Sequence, residues 1–379
     1  MSSKVPLGEV AKFINGRAFK PTEWVSNGLP IIRIQNLTNE DAAFNYYDKE
    51  VEEKYYVKDG DLLISWSATL DVFIWNRGNA ILNQHIFKAV SDTSKISKMF
   101  LFYALKYVMD ELRAQTHGAT MKHITRKPFE QTKITLPPLP EQERIVHLLD
   151  EAEQVRKLRG QASARMEEFV PALFYEMFGD PAKNTKNWKV QPFGEICESR
   201  LGKMLDEKQQ SGLYLRPYLR NQNVQWGEID ISNMAQMDFD ERDREVFRLQ
   251  EGDLLICEGG EVGRTAIWHS ELPECYFQKA IHRARPNLDI AIPEFILWTM
   301  YALSRTGGFD DFTSQSTIAH LTGVKLKTLP IPLPPLDLQR EFARRVSEAR
   351  AVQSVQRRSE ERVEALYQSM LARAFGGEL

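Results

Sequence analysis

Leu136-Pro137-Pro138-Leu139-Pro140-Glu141-Gln142-Glu143-Arg144-Ile145 is where the chain changes texture, and its start returns 197 residues later as Leu333-Pro334-Pro335-Leu336. Pro140 suits a first helical turn, and Glu141 and Glu143 sit where the helix dipole favours negative charge. A long helix is therefore expected over roughly 141–178. Its apolar residues, Ile145, Leu148, Ala152, Val155, Ala162, Met166, Phe169, Leu173 and Met177, recur mainly at three- and four-residue steps. After the second copy of the motif, Phe342, Val346, Ala349, Val352, Val355, Val363, Leu366 and Met370 repeat that spacing over 338–375, with Asp337 placed to cap the start. Either stripe alone could cover its own domain's core. Two matched stripes after equivalent exits favour a helix pair that spaces two domains. Pro171 should kink or interrupt the first helix near its end.

Upstream of the motif the repetition continues. Thr120-Met121-Lys122-His123-Ile124-Thr125 is echoed by Thr317-Ile318-Ala319-His320-Leu321-Thr322, again at 197. Asp59-Gly60-Asp61-Leu62-Leu63-Ile64 returns as Glu251-Gly252-Asp253-Leu254-Leu255-Ile256, at 192, and Pro30–Leu37 returns as Pro217–Val224, at 187, keeping Pro, Arg, Gln and Asn. The growing offset places insertions in the second copy. A period near 190 residues is a duplicated domain with a connector and not a solenoid, whose units run about 20–50 residues. The portions 1–137 and 181–335 mix short β-type runs with Gly, Asn and Asp turns and read as α+β. The expected plan is thus two similar α+β domains, 1–137 and 181–335, separated by two long antiparallel helices within 138–180 and 336–379, with a pseudo-twofold internal duplication.

The 379 residues are 42% hydrophobic, 10% aromatic and 27% charged, which fits an ordinary globular protein and excludes a disordered or collagenous chain. Forty-nine Lys and Arg against 52 Asp and Glu leave a net charge of −3. By segment, 1–137 carries +3 and 138–180 carries −4, so any polyanion would be gripped by focused patches. Cys197, Cys257 and Cys275 have neither zinc-site spacing nor an even count for a disulfide framework. With no leader-like start and no apolar run long enough to span a bilayer, the chain is expected in the cytoplasm.

Signatures of catalysis are missing. There is no GxxxxGK[ST], no placed GxGxxG, no Asn-Pro-Pro-aromatic and no HxxxH or HExxH. Val146–Ala152 superficially resembles an acidic ATPase strand but falls inside the helical stripe. Gly259-Gly260-Glu261-Val262-Gly263-Arg264 reads as a Gly-rich turn after a strand at 253–257 rather than a phosphate cradle. His123 and His320, in matching Thr-x-x-His contexts, could donate to phosphates or base edges or could cap structure.

The Leu-Pro-Pro-Leu-Pro-Glu-Gln-Glu-Arg-Ile exit, the tract Ala172–Pro181 (ALFYEMFGDP) and the ending Ala374–Leu379 (AFGGEL) resemble the specificity subunit of type I restriction-modification systems, across essentially the whole chain. The resemblance implies a non-catalytic subunit in which two target-recognition domains each read half of a split double-stranded DNA sequence, while the helices set the spacer and dock two modification (methyltransferase) subunits. S-adenosylmethionine would then belong to those subunits, and ATP with Mg to the restriction subunits, leaving no cofactor and no metal in this chain. In the second copy Leu338 stands where the first has Glu141, a departure from the pattern.

Two different half-sites require differing readers. The polar positions beside repeated anchors are therefore the DNA-binding candidates: Ser65, Ser67, Thr69, His85 and Lys122 in the first domain, and Glu258, Arg264, Lys279 and Gln315 in the second, with His123 and His320. Repeated residues such as Arg33, Gln35 and Asn36, returning as Arg220, Gln222 and Asn223, are expected to hold structure or phosphate. Glu141, Gln142, Arg144, Gln339, Arg340 and Arg344, on exposed helix faces, are the candidates for docking the modification subunits. A helix-tethered protein adaptor without DNA specificity, and a stand-alone DNA enzyme, are the competing readings.

Overall fold

The computed structural model describes residues 3–67, 69–116, 126–205, 210–312 and 320–376. They form two compact units, one of residues 1–161 with 357–379 and the other of residues 162–356.

Unit 1 begins with β1 (Ser3–Pro6), α1 (Leu7–Val10), β2 (Ala11–Asn15), β3 (Leu29–Ile32), the one-turn α2 (Ile34–Thr38), β4 (Asn45–Tyr47) and β5 (Tyr56–Val57). It continues with β6 (Leu62–Ser67), β7 (Thr69–Ile74), β8 (Ala80–Leu82), β9 (Ile86–Ser91), α3 (Lys98–Thr116), α4 (Arg126–Gln131) and β10 (Lys133–Leu136) before α5 (Leu139–Phe178). One four-stranded antiparallel sheet has the order β2-β9-β6-β7, and a second has the order β4-β3-β8-β5 with β3 and β8 parallel. β1 closes the domain by pairing with β10 directly before the Pro-Pro exit. Period-two burial in β2 and β7 matches sheets with one face on the core. That core joins Phe13, Leu62, Ile64, Phe100 and Leu101 to Ile145 and Leu149 of α5.

Unit 2 repeats the plan. β11 (Lys189–Pro192), α6 (Phe193–Ile196), β12 (Cys197–Leu201), β13 (Leu215–Leu219), β14 (Ala235–Asp238), α7 (Glu241–Phe247), β15 (Leu254–Cys257) and β16 (Thr265–Ile267) come first. β17 (Tyr276–Phe277), β18 (Ile281–Pro286), α8 (Pro293–Arg305), α9 (Gly323–Thr328), β19 (Pro330–Leu333) and α10 (Leu336–Gly376) follow. The sheet order β12-β18-β15-β16 and the closing pair β11–β19 correspond to those of unit 1, and β14-β13-β17 matches β4-β3-β8, with no counterpart of β5 among the described residues. The duplication read in the sequence is a duplication of architecture, and the fold class is α+β.

The long helices serve both ends of the earlier choice, since each covers its domain's core and also packs on the other helix. Within unit 1, Arg156 of α5 meets Glu364 of α10 at 2.7 Å and lies 4.4 Å from the ring of Tyr367, while Ile145 and Leu149 share a core with Leu371 and Ala374. Later residues of one helix meet earlier residues of the other, so the segments are antiparallel. Within unit 2, Phe174 and Phe178 pack on Phe342 with centroids 5.7 and 5.2 Å apart, and Gln353 donates to the Met166 carbonyl at 3.1 Å, again antiparallel.

Three expectations are corrected. Pro171 does not interrupt α5, which runs on to Phe178. Asp337 lies inside the first turn of α10, where it meets Arg340 at 3.2 Å. The expected seam was partly misplaced: Leu148, Val155 and Phe169 of α5 and Val352, Val355 and Leu366 of α10 are exposed, while Leu149, Val170, Phe174, Tyr367 and Leu371 pack inward. A three- and four-residue step fits two neighbouring stripes of one helix, and hydrophobicity alone did not choose between them. Among the described residues, no helix is long and apolar enough to cross a membrane.

Candidate nucleic-acid interface

In unit 1 the segment after β2 crosses the turn between β8 and β9. Gly16 N donates to Ile86 O at 3.1 Å, Arg17 N to Leu82 O at 3.0 Å, and Gln84 N to Arg17 O at 2.8 Å. The approach is so close that a Cβ on Gly16 would lie 2.0 Å from the Asn83 carbonyl oxygen, so only glycine fits. His85 follows with φ 72°, in the left-handed region, and its carbonyl accepts from Trp66 N at 3.2 Å at the end of β6. Trp66 stacks on Phe87 at 5.6 Å and tilts against His85 at 5.0 Å. The Arg17 guanidinium is spent inside the unit, donating to Tyr47 Oη at 2.7 Å and Glu23 Oε1 at 2.6 Å.

Unit 2 builds the same crossing from different side chains. Gly202 N donates to Ile281 O at 3.0 Å, Lys203 N to Phe277 O at 3.1 Å and Lys279 N to Lys203 O at 2.7 Å. A Cβ on Gly202 would lie 2.2 Å from Gln278 O, and Ala280 takes φ 86°. Glu258 N donates to Ala280 O at 2.9 Å, as Trp66 N does to His85 O. The Lys203 ammonium is held by the Asp238 carbonyl and by Asp243 Oδ2, both at 2.5 Å.

Beside each crossing sits the repeated Arg-x-x-Asn. Asn36 Oδ1 accepts from Arg33 N at 3.1 Å and its Nδ2 donates to Ala42 O at 3.0 Å. Asn223 does the same with Arg220 N at 3.0 Å and Asp230 O at 2.8 Å. Both asparagines are buried, so these repeated residues hold structure.

The candidates fall around the ends of β6 and β15. Ser67 and Thr69 face each other across the β6–β7 end, with Thr69 exposed and Ser67 and His85 half-buried. Ser65 is a correction. It is fully buried, donates its hydroxyl to the Thr69 carbonyl and accepts from Asp71 N at 3.2 Å, which leaves nothing for a base edge. In unit 2, Glu258 accepts from Leu321 N at 2.8 Å through its carbonyl, which brings His320 to the same place, and Lys279 is exposed. Arg264 is partly consumed, its Nη2 donating to Asn221 O at 2.8 Å while Nη1 lies 3.6 Å from Glu261, and its side chain is 17% exposed. Lys122, His123 and Gln315 lie outside the described residues. The sequence reading passed over Gln84. The signal for it was present, because Leu82-Asn83-Gln84-His85-Ile86 aligns with Phe277-Gln278-Lys279-Ala280-Ile281 at an offset of 195, between the 192 and 197 of its neighbours.

The helix starts also need correction. Gln142 and Gln339, expected on an exposed docking face, are completely buried. Gln142 accepts from Ser97 N at 2.9 Å and donates to Lys95 O at 2.8 Å and Pro137 O at 2.9 Å. Gln339 accepts from Ile292 N at 3.0 Å and donates to Ile290 O at 3.1 Å and Pro334 O at 2.9 Å. Arg144, Arg340 and Arg344 are exposed. Arg144 closes on the partly exposed Glu141 at 2.6 Å, and Arg344 lies between Glu341 and Glu348 at 2.8 and 2.6 Å. Hydrogen bonds from Arg344 and Arg345 bring the Glu341 carboxyl down to about 2.

Burial pushes the thiols of Cys197, Cys257 and Cys275 up to about 12, 11 and 12, which makes them poor nucleophiles and metal ligands. Among the described residues, no group of three or more His, Cys, Asp or Glu is placed to hold a metal ion.

Comparison with known proteins agrees with this fold. The chain is 26% identical to the type I restriction enzyme EcoBI specificity subunit of Escherichia coli, over 99% of this chain and 86% of that one. It is 23% identical to the MjaVIII specificity subunit of Methanocaldococcus jannaschii, over 95% and 88%. A chain solved in work on complex assembly and conformational transition of the type I R-M system superposes with a TM-score of 0.66 at 21% identity, covering 100% of this chain and 98% of that one. The type I restriction-modification S subunit of M. genitalium gives 0.56 at 13% identity, over 99% and 96%. Residues 2–167 and 185–364 each match the type I restriction modification DNA specificity domain, so this chain, built twice on one plan with one crossing per copy, belongs to the family of type I restriction-modification specificity subunits.

Proposed function

We propose that this chain is the non-catalytic subunit that gives a type I restriction-modification complex its DNA target, with residues 1–137 and 181–335 each reading one half of a bipartite site. The observation that carries the reading is the crossing itself: one backbone geometry, fixed by Gly16 and Gly202, presents different side chains in the two units. A reader of two unlike half-sites needs a constant frame and variable tips, and direct readout depends on side chains that reach base edges. Ser67, Thr69 and His85 in the first copy, and Glu258, Arg264, Lys279 and His320 in the second, are the tips assigned to this role.

The helical segments 138–180 and 336–379 are assigned the spacer and the docking of two modification subunits, with restriction subunits completing the complex. Exposed Leu148, Val155 and Leu158 on α5, and Val352, Val355 and Leu366 on α10, support docking better than the buried glutamines do. The exposed ion pairs of Glu141, Arg144, Arg340 and Arg344 would form its rim. Adenine methylation with S-adenosylmethionine, and ATP-dependent cleavage, are assigned to the partner subunits, and the complex to the cytoplasm.

Selection from a random duplex library, with the chain alone and co-expressed with its modification subunit, tests the reading. The assembled complex should enrich two short sequences separated by a fixed unspecified spacer. About 35 helical residues span roughly 50 Å, or about 15 base pairs at most between half-site centres. Deleting one heptad from both helices should shorten the spacer or abolish binding. Enrichment of no sequence would favour the protein adaptor, and DNA modification by the lone chain would favour an enzyme.

A further inference from the structure

We propose that Gln84 and Lys279, the equivalent apex residues of the two crossing turns, are specificity-determining contacts, Gln84 for an adenine in the first half-site and Lys279 for a guanine in the second. The proposal rests on the DNA-recognition reading and names what that reading leaves open: which side chains discriminate, and for which base.

The backbone holds each apex on three sides. The amide of Gln84 or Lys279 donates to the carbonyl of Arg17 or Lys203, at 2.8 and 2.7 Å. The residue before it presses its carbonyl against Gly16 or Gly202. The residue after it, His85 or Ala280, is left-handed and receives the amide of Trp66 or Glu258. A side chain carried on a fixed backbone has less freedom to lose when it meets a ligand, and its reach is set in advance.

Several neighbouring polar side chains are already occupied, although Asn83 Oδ1 beside Gln84 has no hydrogen-bond partner among the described residues. Arg17 serves Tyr47 and Glu23, Lys203 serves Asp243 and Asp238, and Asn36 and Asn223 satisfy loop carbonyls. The Gln84 amide and the Lys279 ammonium, by contrast, make no side-chain hydrogen bond or ion pair with any described residue, and Lys279 is exposed. These are the positions where the frame repeats and the chemistry differs. A glutamine amide presents one donor and one acceptor, the complement of adenine N6 and N7, whereas an ammonium offers only donors and suits guanine O6 and N7.

The test exchanges the two residues in the complex assembled with its modification subunits, reading the selected sequence from a random duplex library. Gln84→Lys should replace one adenine by guanine in the first half-site and leave the second unchanged. Lys279→Gln should do the converse, and each variant should lose about tenfold to a hundredfold in affinity for the wild-type target. Gln84→Ala and Lys279→Ala, which remove the groups without adding any, should relax the same single positions. A variant that binds bipartite DNA and still selects the wild-type base at every position would overturn the proposal. Uniform weakening with an unchanged sequence would mark a phosphate contact and would also overturn it. A wild-type complex that selects no sequence would remove the underlying reading, and the assignment with it.

Discussion

Arg350 of α10 grips Glu294 of α8 with both arms, Nη1 to Oε2 at 2.8 Å and Nη2 to Oε1 at 2.9 Å, while Trp298 Nε1 donates to the same carboxylate at 2.8 Å. Glu294 is buried, and Arg350 is the cation that faces its carboxylate. At the positions corresponding to Glu294 and Arg350, unit 1 has Met99 and Glu153, and it joins α3 to α5 through Tyr103 Oη and Asp150 instead, at 2.5 Å. The two copies share a fold and fasten it with different chemistry.

Arg350→Ala should therefore destabilise unit 2 by about 2–3 kcal/mol, because it strands a buried carboxylate. Glu294→Leu with Arg350→Met should recover much of that loss, since removing both charges leaves neither unpaired. Denaturant unfolding of the single and double variants measures the coupling. Additive effects would show that the bidentate pair contributes nothing beyond its separate side chains.

The buried glutamines give the second prediction. Gln142→Leu removes the partners of Ser97 N, Lys95 O and Pro137 O together, and at about 1–3 kcal/mol for each stranded buried group the loss should reach about 3 kcal/mol. Gln142→Glu should fare little better, because two of its three partners are carbonyls that a carboxylate repels. Glu143→Ala, one residue along on an exposed face, should be neutral within about 0.5 kcal/mol. Calorimetric unfolding of the three variants checks the order; equal stability of Gln142→Leu and the parent would return this residue to the surface.

Legibility in the sequence followed what each residue type encodes. The repeat, the α+β texture and both long helices could be read because Pro-Pro exits, β-branched runs and helical spacing are local signals. The inward stripe of α5 could not, because Leu148 and Leu149 are equally apolar and only the packed domain decides between them. Gln142 and Ser65 looked like surface residues because polar side chains usually are; their burial is explained by backbone groups distant in sequence that need partners. The crossing of Gly16 over Asn83 joins segments 67 residues apart, and no local rule marks it, although the matching of residues 82–86 with 277–281 pointed to its outer turn.

His282 carries the third prediction. It is the second residue of β18, at the position Phe87 occupies in β9, pairing with Ile256 as Phe87 pairs with Ile64. The ring is buried and its Nε2–H donates to the Leu321 carbonyl at 3.1 Å. Burial lowers its pKa below the ordinary 6.5, with the Leu321 carbonyl and Glu258 opposing the shift. The unfolded chain therefore binds a proton that the folded chain refuses, and stability rises with pH across that interval. His282 costs nothing well above pH 6.5, and stability falls as the pH drops below 6.5 toward the depressed folded value. The slope from this one group is at most about 1.4 kcal/mol per pH unit. His282→Phe copies the first unit and leaves one carbonyl unpartnered, so it should lose about 1 kcal/mol at pH 7.5 and show a shallower decline between pH 7 and 5. Denaturation midpoints measured across that range decide it, and parallel curves for variant and parent would show that the imidazole does not contribute to the acid sensitivity of the fold.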